Sequence, residues 1–122
     1  MRDFRKYEVW ESALGFVTKI YEITKSFPQS EMYGLSNQMH RAAVSVASNI
    51  AEGASRSSEI EFSRFLEISL GSAFEIETQL IISKNLSYIG CESFDELMSQ
   101  LHPIQKKLNN LNSKIKLQGK GR

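Results

Sequence analysis

Two sets of residues in this chain have types and spacing suited to recognition. Arg41, Ser45, Ser48 and Glu52 follow one another at steps of four, three and four, so a helix carries all of them along one face. A guanidinium, two hydroxyls and a carboxylate in a row can make hydrogen bonds and ion pairs, and the stripe admits two readings. It can be a solvated face on which Glu52 pairs with Arg56, four residues on, a contact worth about 0.3 kcal/mol. It can instead be a polar seam between subunits, where the serines permit close approach and Arg41 reaches a carboxylate such as Glu75 across the interface. An unpaired charge buried there would cost several kcal/mol. Asn49 borders the stripe and is suited to satisfying helix ends or backbone groups on a neighbour. The interface set is therefore Arg41, Ser45, Ser48, Asn49, Glu52 and Glu75.

The second set is basic: Arg2, Arg5 and Lys6 near the start, and Lys106, Lys107, Lys114 and Lys116 near the end. No acidic residue follows Glu96, although the net charge of the whole chain is only +1. A single copy with that balance is a weak electrostatic ligand for nucleic acid. Repeated around a symmetry axis, the same patches would release more counterions and gain from linkage. Phe4, Tyr7 and Trp10 interleave with the first cluster and have rings on which bases could stack, with core packing as the alternative for Trp10.

Catalytic and metal-binding arrangements are not visible. His40 and His102 are far apart, and neither Glu52 nor Glu75 is followed three residues later by the histidine that a carboxylate metal site in a helical bundle would want. There is no glycine-rich phosphate loop and no nucleophile elbow. The expectation is a protein that is not an enzyme and holds no cofactor or metal. Cys91 is the only cysteine, so no internal disulfide can form and no chemical role is expected of it. No signal-like or membrane-spanning run is present, and a cytoplasmic location is expected.

The elements that must position these residues are helical. The 122 residues form one domain by size, with a frayed basic tail over 118–122. Trp10, Ala13, Val17, Ile20, Thr24 and Phe27 recur at steps of three and four, predicting a first helix over about 9–26 that Pro28 ends. Leu14, Phe16, Tyr21 and Ile23 widen its apolar face. A slim second helix over about 36–54 carries Met39, Ala42, Ala43, Val46, Ile50 and Gly53 on one side, in line with Leu35 just before it, with neighbours expected on two faces. Ser58 with Glu61 is a capping box opening a third helix over about 59–84. Its seam is Phe62, Leu66, Ser69, Ala73, Ile76 and Leu80, while Phe65, Ile68, Leu70, Phe74, Ile81 and Ile82 spread beyond it. Ser93 with Glu96 predicts a second box and a fourth, outermost helix seamed by Phe94, Leu97, Leu101, Ile104, Leu108, Leu111 and Ile115, with Pro103 inside it or in its first turn. No sustained period-two run competes. The fold class is all-α, an antiparallel up-down-up-down four-helix bundle. The excess apolar surface on the first and third helices calls for a cover, a loop or another subunit.

Phe27-Pro28, Glu31, Gly34-Leu35, Gln38, the run Arg41 to Ser45 and the run Asn49-Ile50-Ala51-Glu52-Gly53 form a signature. It resembles that of the bacterial four-helix bundle proteins encoded in 23S rRNA intervening sequences, a family related to retroelement accessory variability determinants. Trp10, Ala13, Tyr21, Thr24, Phe65-Leu66, Gly71-Ser72 and Glu75 extend the match. His40 stands where the family carries a second arginine beside Arg41. The resemblance implies a homopentamer and an accessory or scaffold role beside nucleic acid (RNA or DNA) or a nucleic-acid enzyme. A protein-only interaction module is the alternative.

Overall fold

The computed structural model describes residues 2–120, the side chain of Lys120 excepted; the tail expectation for Gly121 and Arg122 lies outside the described residues. Four helices make up the fold: α1 (Glu8–Thr24), α2 (Leu35–Ala54), α3 (Glu59–Asn85) and α4 (Cys91–Lys120), with short 3-10 turns at Phe4–Lys6 and Gln29–Glu31. No strand occurs among the described residues. α1 and α3 each pack on both α2 and α4. α4 is thus one corner of four and not the outermost element expected from its narrow stripe.

Helix ends show which local signals prevailed. α1 closes two residues earlier than its periodicity suggests, because Lys25, Ser26 and Phe27 donate to the carbonyls of Glu22, Ile23 and Thr24 and tighten the last turn ahead of Pro28. Ser58 caps α3 as predicted, its Oγ accepting from the Glu61 amide at 3.2 Å. The box expected at Ser93 and Glu96 does not form. α3 ends in a turn in which Ser87 takes a left-handed φ of 62°, with the Tyr88 amide donating to Ser83 O and the Ser87 amide to Lys84 O. That turn is compact enough for α4 to begin at Cys91, so Ser93 and Glu96 fall inside it. Pro103 also lies inside α4, twelve residues past its first residue and not in its first turn.

All four helices feed one apolar core. The seam of α3 is fully enclosed at Phe62, Leu66, Ser69, Ala73, Ile76 and Leu80, against Ile20, Met39, Ile50, Leu101, Ile104 and Leu108 from the other three. Small residues on α2 bring α3 close enough for the Ser69 hydroxyl to donate to the Val46 carbonyl at 2.7 Å.

The connection before α2 is held by one carboxylate. Glu31 Oε1 accepts from the Leu35 amide at 3.1 Å, satisfying a free donor at the start of α2, while Oε2 accepts from the Tyr88 hydroxyl at 2.9 Å. That second bond, to an anion, raises the pKa of the Tyr88 phenol above its ordinary value. Tyr88 also packs on Phe27, with ring centroids 5.3 Å apart. Glu31→Ala removes cap and clamp together, and about 1–2 kcal/mol of stability should be lost. Urea unfolding of Glu31→Ala beside Tyr88→Phe, which removes only the clamp, measures it.

Candidate functional site

The interface residues predicted from the stripe lie on the outer surface where α2 and α3 meet. Arg41, Ser45 and Glu75 line one open groove of about 510 Å³ together with Tyr33, Asn37, Gln38, Ala42 and Ser72. Ser45 and Ser72 share a hydroxyl–hydroxyl bond of 2.9 Å, which ties the groove floor across the two helices. Asn49 serves its own helix, donating to Ser45 O at 2.8 Å and to Ser45 Oγ at 2.9 Å. A short amide readily reaches the carbonyl one turn back. Ser48 and Glu52 continue the stripe in solvent, and Glu52 pairs with Arg56 at 2.9 Å.

Arg41 and Glu75 line the same groove of a single chain without forming an ion pair. Glu75 accepts instead from Gln79 Nε2 at 3.3 Å, and Gln79 Oε1 is left buried with no partner among the described residues. Beside the groove runs an apolar line. Ile68, Glu75 and Ile82 are spaced seven apart, so the two isoleucines flank the carboxylate on one face of α3. Ile68 is 47% exposed and Phe74 52%, and Ile81 and Ile82 are exposed as well. Nothing in the described chain covers them. On α1 the excess is smaller: Phe16 is buried, and Leu14 and Tyr21 stay exposed. Sequence reasoning missed Tyr33, 90% exposed at the groove, because one aromatic in a connection carries no periodicity. Ser72 was within reach, as part of the Gly71-Ser72 match.

The start of α1 lies beside the start of α3 and the middle of α4. Tyr7 packs on Phe62 with centroids 5.9 Å apart, and Lys107 Nζ reaches Glu8 Oε1 at 2.6 Å. That bond holds the Glu8 carboxyl below its ordinary pKa. Arg2 is the most committed of the cations. It lies over the Phe62 ring, donates to Arg56 O at 2.6 Å and pairs with Glu59 at 3.0 Å. Arg5 pairs with Asp3 and Lys116 with Glu67. Lys6, Lys106 and Lys114 are exposed and unpaired among the described residues. Phe4 and Trp10 pack edge to face at 5.0 Å, so Trp10 spends much of its ring on packing.

His40 lies on the other flank of α2, stacked on Tyr21 with ring centroids 3.9 Å apart and planes 10° from parallel. Its Nε2 is 2.7 Å from Thr24 Oγ1. The Thr24 hydroxyl also lies within hydrogen-bond distance of the Ile20 and Tyr21 carbonyls, so either Thr24 or His40 donates in this contact according to where the hydroxyl hydrogen points. Burial lowers the His40 pKa below the ordinary 6.5. The unfolded chain therefore takes up this proton first. Stability from this group is complete above pH 6.5 and falls as pH drops from there to the depressed native value. Melting temperature followed from pH 7.5 to 5.5 should decline for the native chain and stay flatter for His40→Gln.

Among the described residues no group of three His, Cys, Asp or Glu side chains is placed to share a metal ion, and no helix is long and apolar enough to cross a membrane. No protein of curated function matches the sequence. Among solved structures, one from Bacteroides thetaiotaomicron, described as a protein with unknown function from the S23 ribosomal protein family, is similar. It shares 26% identity, covers 85% of this chain and 97% of its own, and superposes with a TM-score of 0.79. Residues 5–110 match the family described as 23S rRNA-intervening sequence protein. With a match over most of its length, the chain belongs to the 23S rRNA-intervening sequence protein family.

Proposed function

We propose that this protein is a non-enzymatic building block: an antiparallel up-down-up-down bundle that joins copies of itself through the α2–α3 face and serves as a cytoplasmic scaffold or accessory. Five copies is the number that the family resemblance implies. The observation that carries the reading is the uncovered line Ile68, Phe74, Ile81 and Ile82 beside a groove holding an unpaired arginine. Apolar surface of that extent gains by burial, and Arg41 together with the orphaned Gln79 oxygen gains by meeting partners on another copy.

Nucleic acid, or an enzyme acting on it, is the partner proposed for the basic surface. Lys6, Lys106 and Lys114 supply its free cations. Three phosphate contacts on one protomer would give a salt slope of about −3, and contacts from several protomers a steeper one. Gel shifts of the intact assembly with structured RNA and duplex DNA across a salt series test this. Absence of binding at low salt removes the nucleic-acid part. The protein-only module then stands, favoured by the pairing of Arg2, Arg5, Lys107 and Lys116 within the chain.

A further inference from the structure

A recess between the end of α1 and the start of α2 has the makings of a ligand site distinct from both surfaces above. It encloses about 410 Å³ and is lined by Tyr21, Lys25, Phe27, Met32, Ser36 and His40 among others. One wall is the parallel Tyr21–His40 ring pair, which the Thr24 bond holds in place before any ligand arrives. Phe27 and Met32 add apolar surface. Ser36 lines the recess and is only 7% exposed, with a hydroxyl that meets no protein partner among the described residues but is not cut off from solvent. A ligand entering the recess therefore finds a hydroxyl free to bond it.

At the rim stands Lys25, exposed and unpaired. The carboxylates nearest to it in sequence are engaged elsewhere, Glu22 with Lys19 and Glu31 with Leu35 and Tyr88. A flat aromatic wall, an apolar floor, one free hydroxyl and one free cation suit a planar heterocycle that carries an anionic group. Fatty or purely aliphatic ligands would waste the ring stack and leave Ser36 unmet. A carboxylated sugar would waste the apolar floor.

We propose that this recess binds a nucleotide, with its base against the Tyr21–His40 pair and its phosphate on Lys25. The base can belong to a free mononucleotide or to single-stranded nucleic acid, and the chemistry recognised is the same.

The test is amide NMR on the full chain titrated with AMP, with adenosine and with a short oligoadenylate RNA. Saturable shifts confined to Tyr21, Lys25, Gln29, Ser36, His40 and their neighbours are expected. Tyr21→Leu should weaken binding about tenfold, while Tyr21→Phe, which keeps the ring, should bind nearly as the native chain does. Lys25→Gln should weaken AMP and leave adenosine unchanged. Tighter binding of the RNA identifies a base of a single strand as the occupant, and tighter binding of AMP identifies the free nucleotide. Absence of saturable shifts with all three ligands at millimolar concentration overturns the proposal. So does binding that Tyr21→Leu leaves intact.

Discussion

Gly53→Val is expected to cost on the order of 3 kcal/mol of unfolding free energy, and Gly53→Ala about 2. A Cβ at Gly53 would lie 2.6 Å from Phe65 Cβ and 3.0 Å from Phe62 Cδ1. Neither atom can yield cheaply: the Phe65 Cβ is fixed to its backbone, and Phe62 is fully buried beneath Tyr7 and Arg2. α3 would have to move away from α2, which also stretches the Ser69–Val46 bond. For alanine, a gain in helix propensity of about 1 kcal/mol offsets part of the loss. Gly15→Ala is the control. Nothing lies within 4 Å of a Cβ there, so the propensity term acts alone and about 1 kcal/mol of stabilisation is expected. Urea midpoints for the three variants give the comparison; a Gly53→Ala protein as stable as Gly15→Ala would mean that the helices do not approach this closely.

Ile68→Asp combined with Ile82→Asp should leave the protomer folded and weaken self-association at least about a hundredfold. Both side chains are exposed in the isolated chain, so the fold loses little contact when they change. Across an interface each isoleucine would be buried, at about 1.5–3 kcal/mol apiece, and a carboxylate in its place would be desolvated as well. Arg41→Ala should loosen assembly in the same sense with an unchanged protomer melting temperature, since Arg41 makes no ion pair within the chain. Sedimentation velocity over a dilution series reads both. A double variant that assembles like the native chain would move the interface off this face.

Much of the fold was legible because its strongest signals are periodic. The seams of all four helices repeat at three and four residues, and the predicted residues of α3 are the enclosed ones. What escaped was non-periodic or paired across the chain. Ser93 and Glu96 have the spacing of a capping box, but spacing cannot show that a Ser87-centred turn would start α4 ahead of them. Gly53 could be placed on the apolar side of the second helix, but its close contact with Phe65 is announced by no local pattern. Arg2 looked like a free cation, and its partners Arg56 and Glu59 lie more than fifty residues away.

The candidate site was half legible for the same reason. The stripe Arg41, Ser45, Ser48 and Glu52 could be placed on one face from spacing alone, whereas the groove needs Ser72 and Tyr33, which belong to other elements. His40 was visible only as a residue standing in place of an arginine. Its meaning comes from Tyr21 and Thr24, brought to it by the packing of α1 on α2.

If a greasy edge on α3 exists to be hidden by sister chains, weighing the purified, untagged protein settles the matter. Native mass spectrometry at micromolar concentration should return a closed multiple of the 13.9 kDa protomer, five being the number expected. A lone 13.9 kDa species under those conditions would contradict the proposed assembly, and with it the idea that modest basic patches gain strength by repetition.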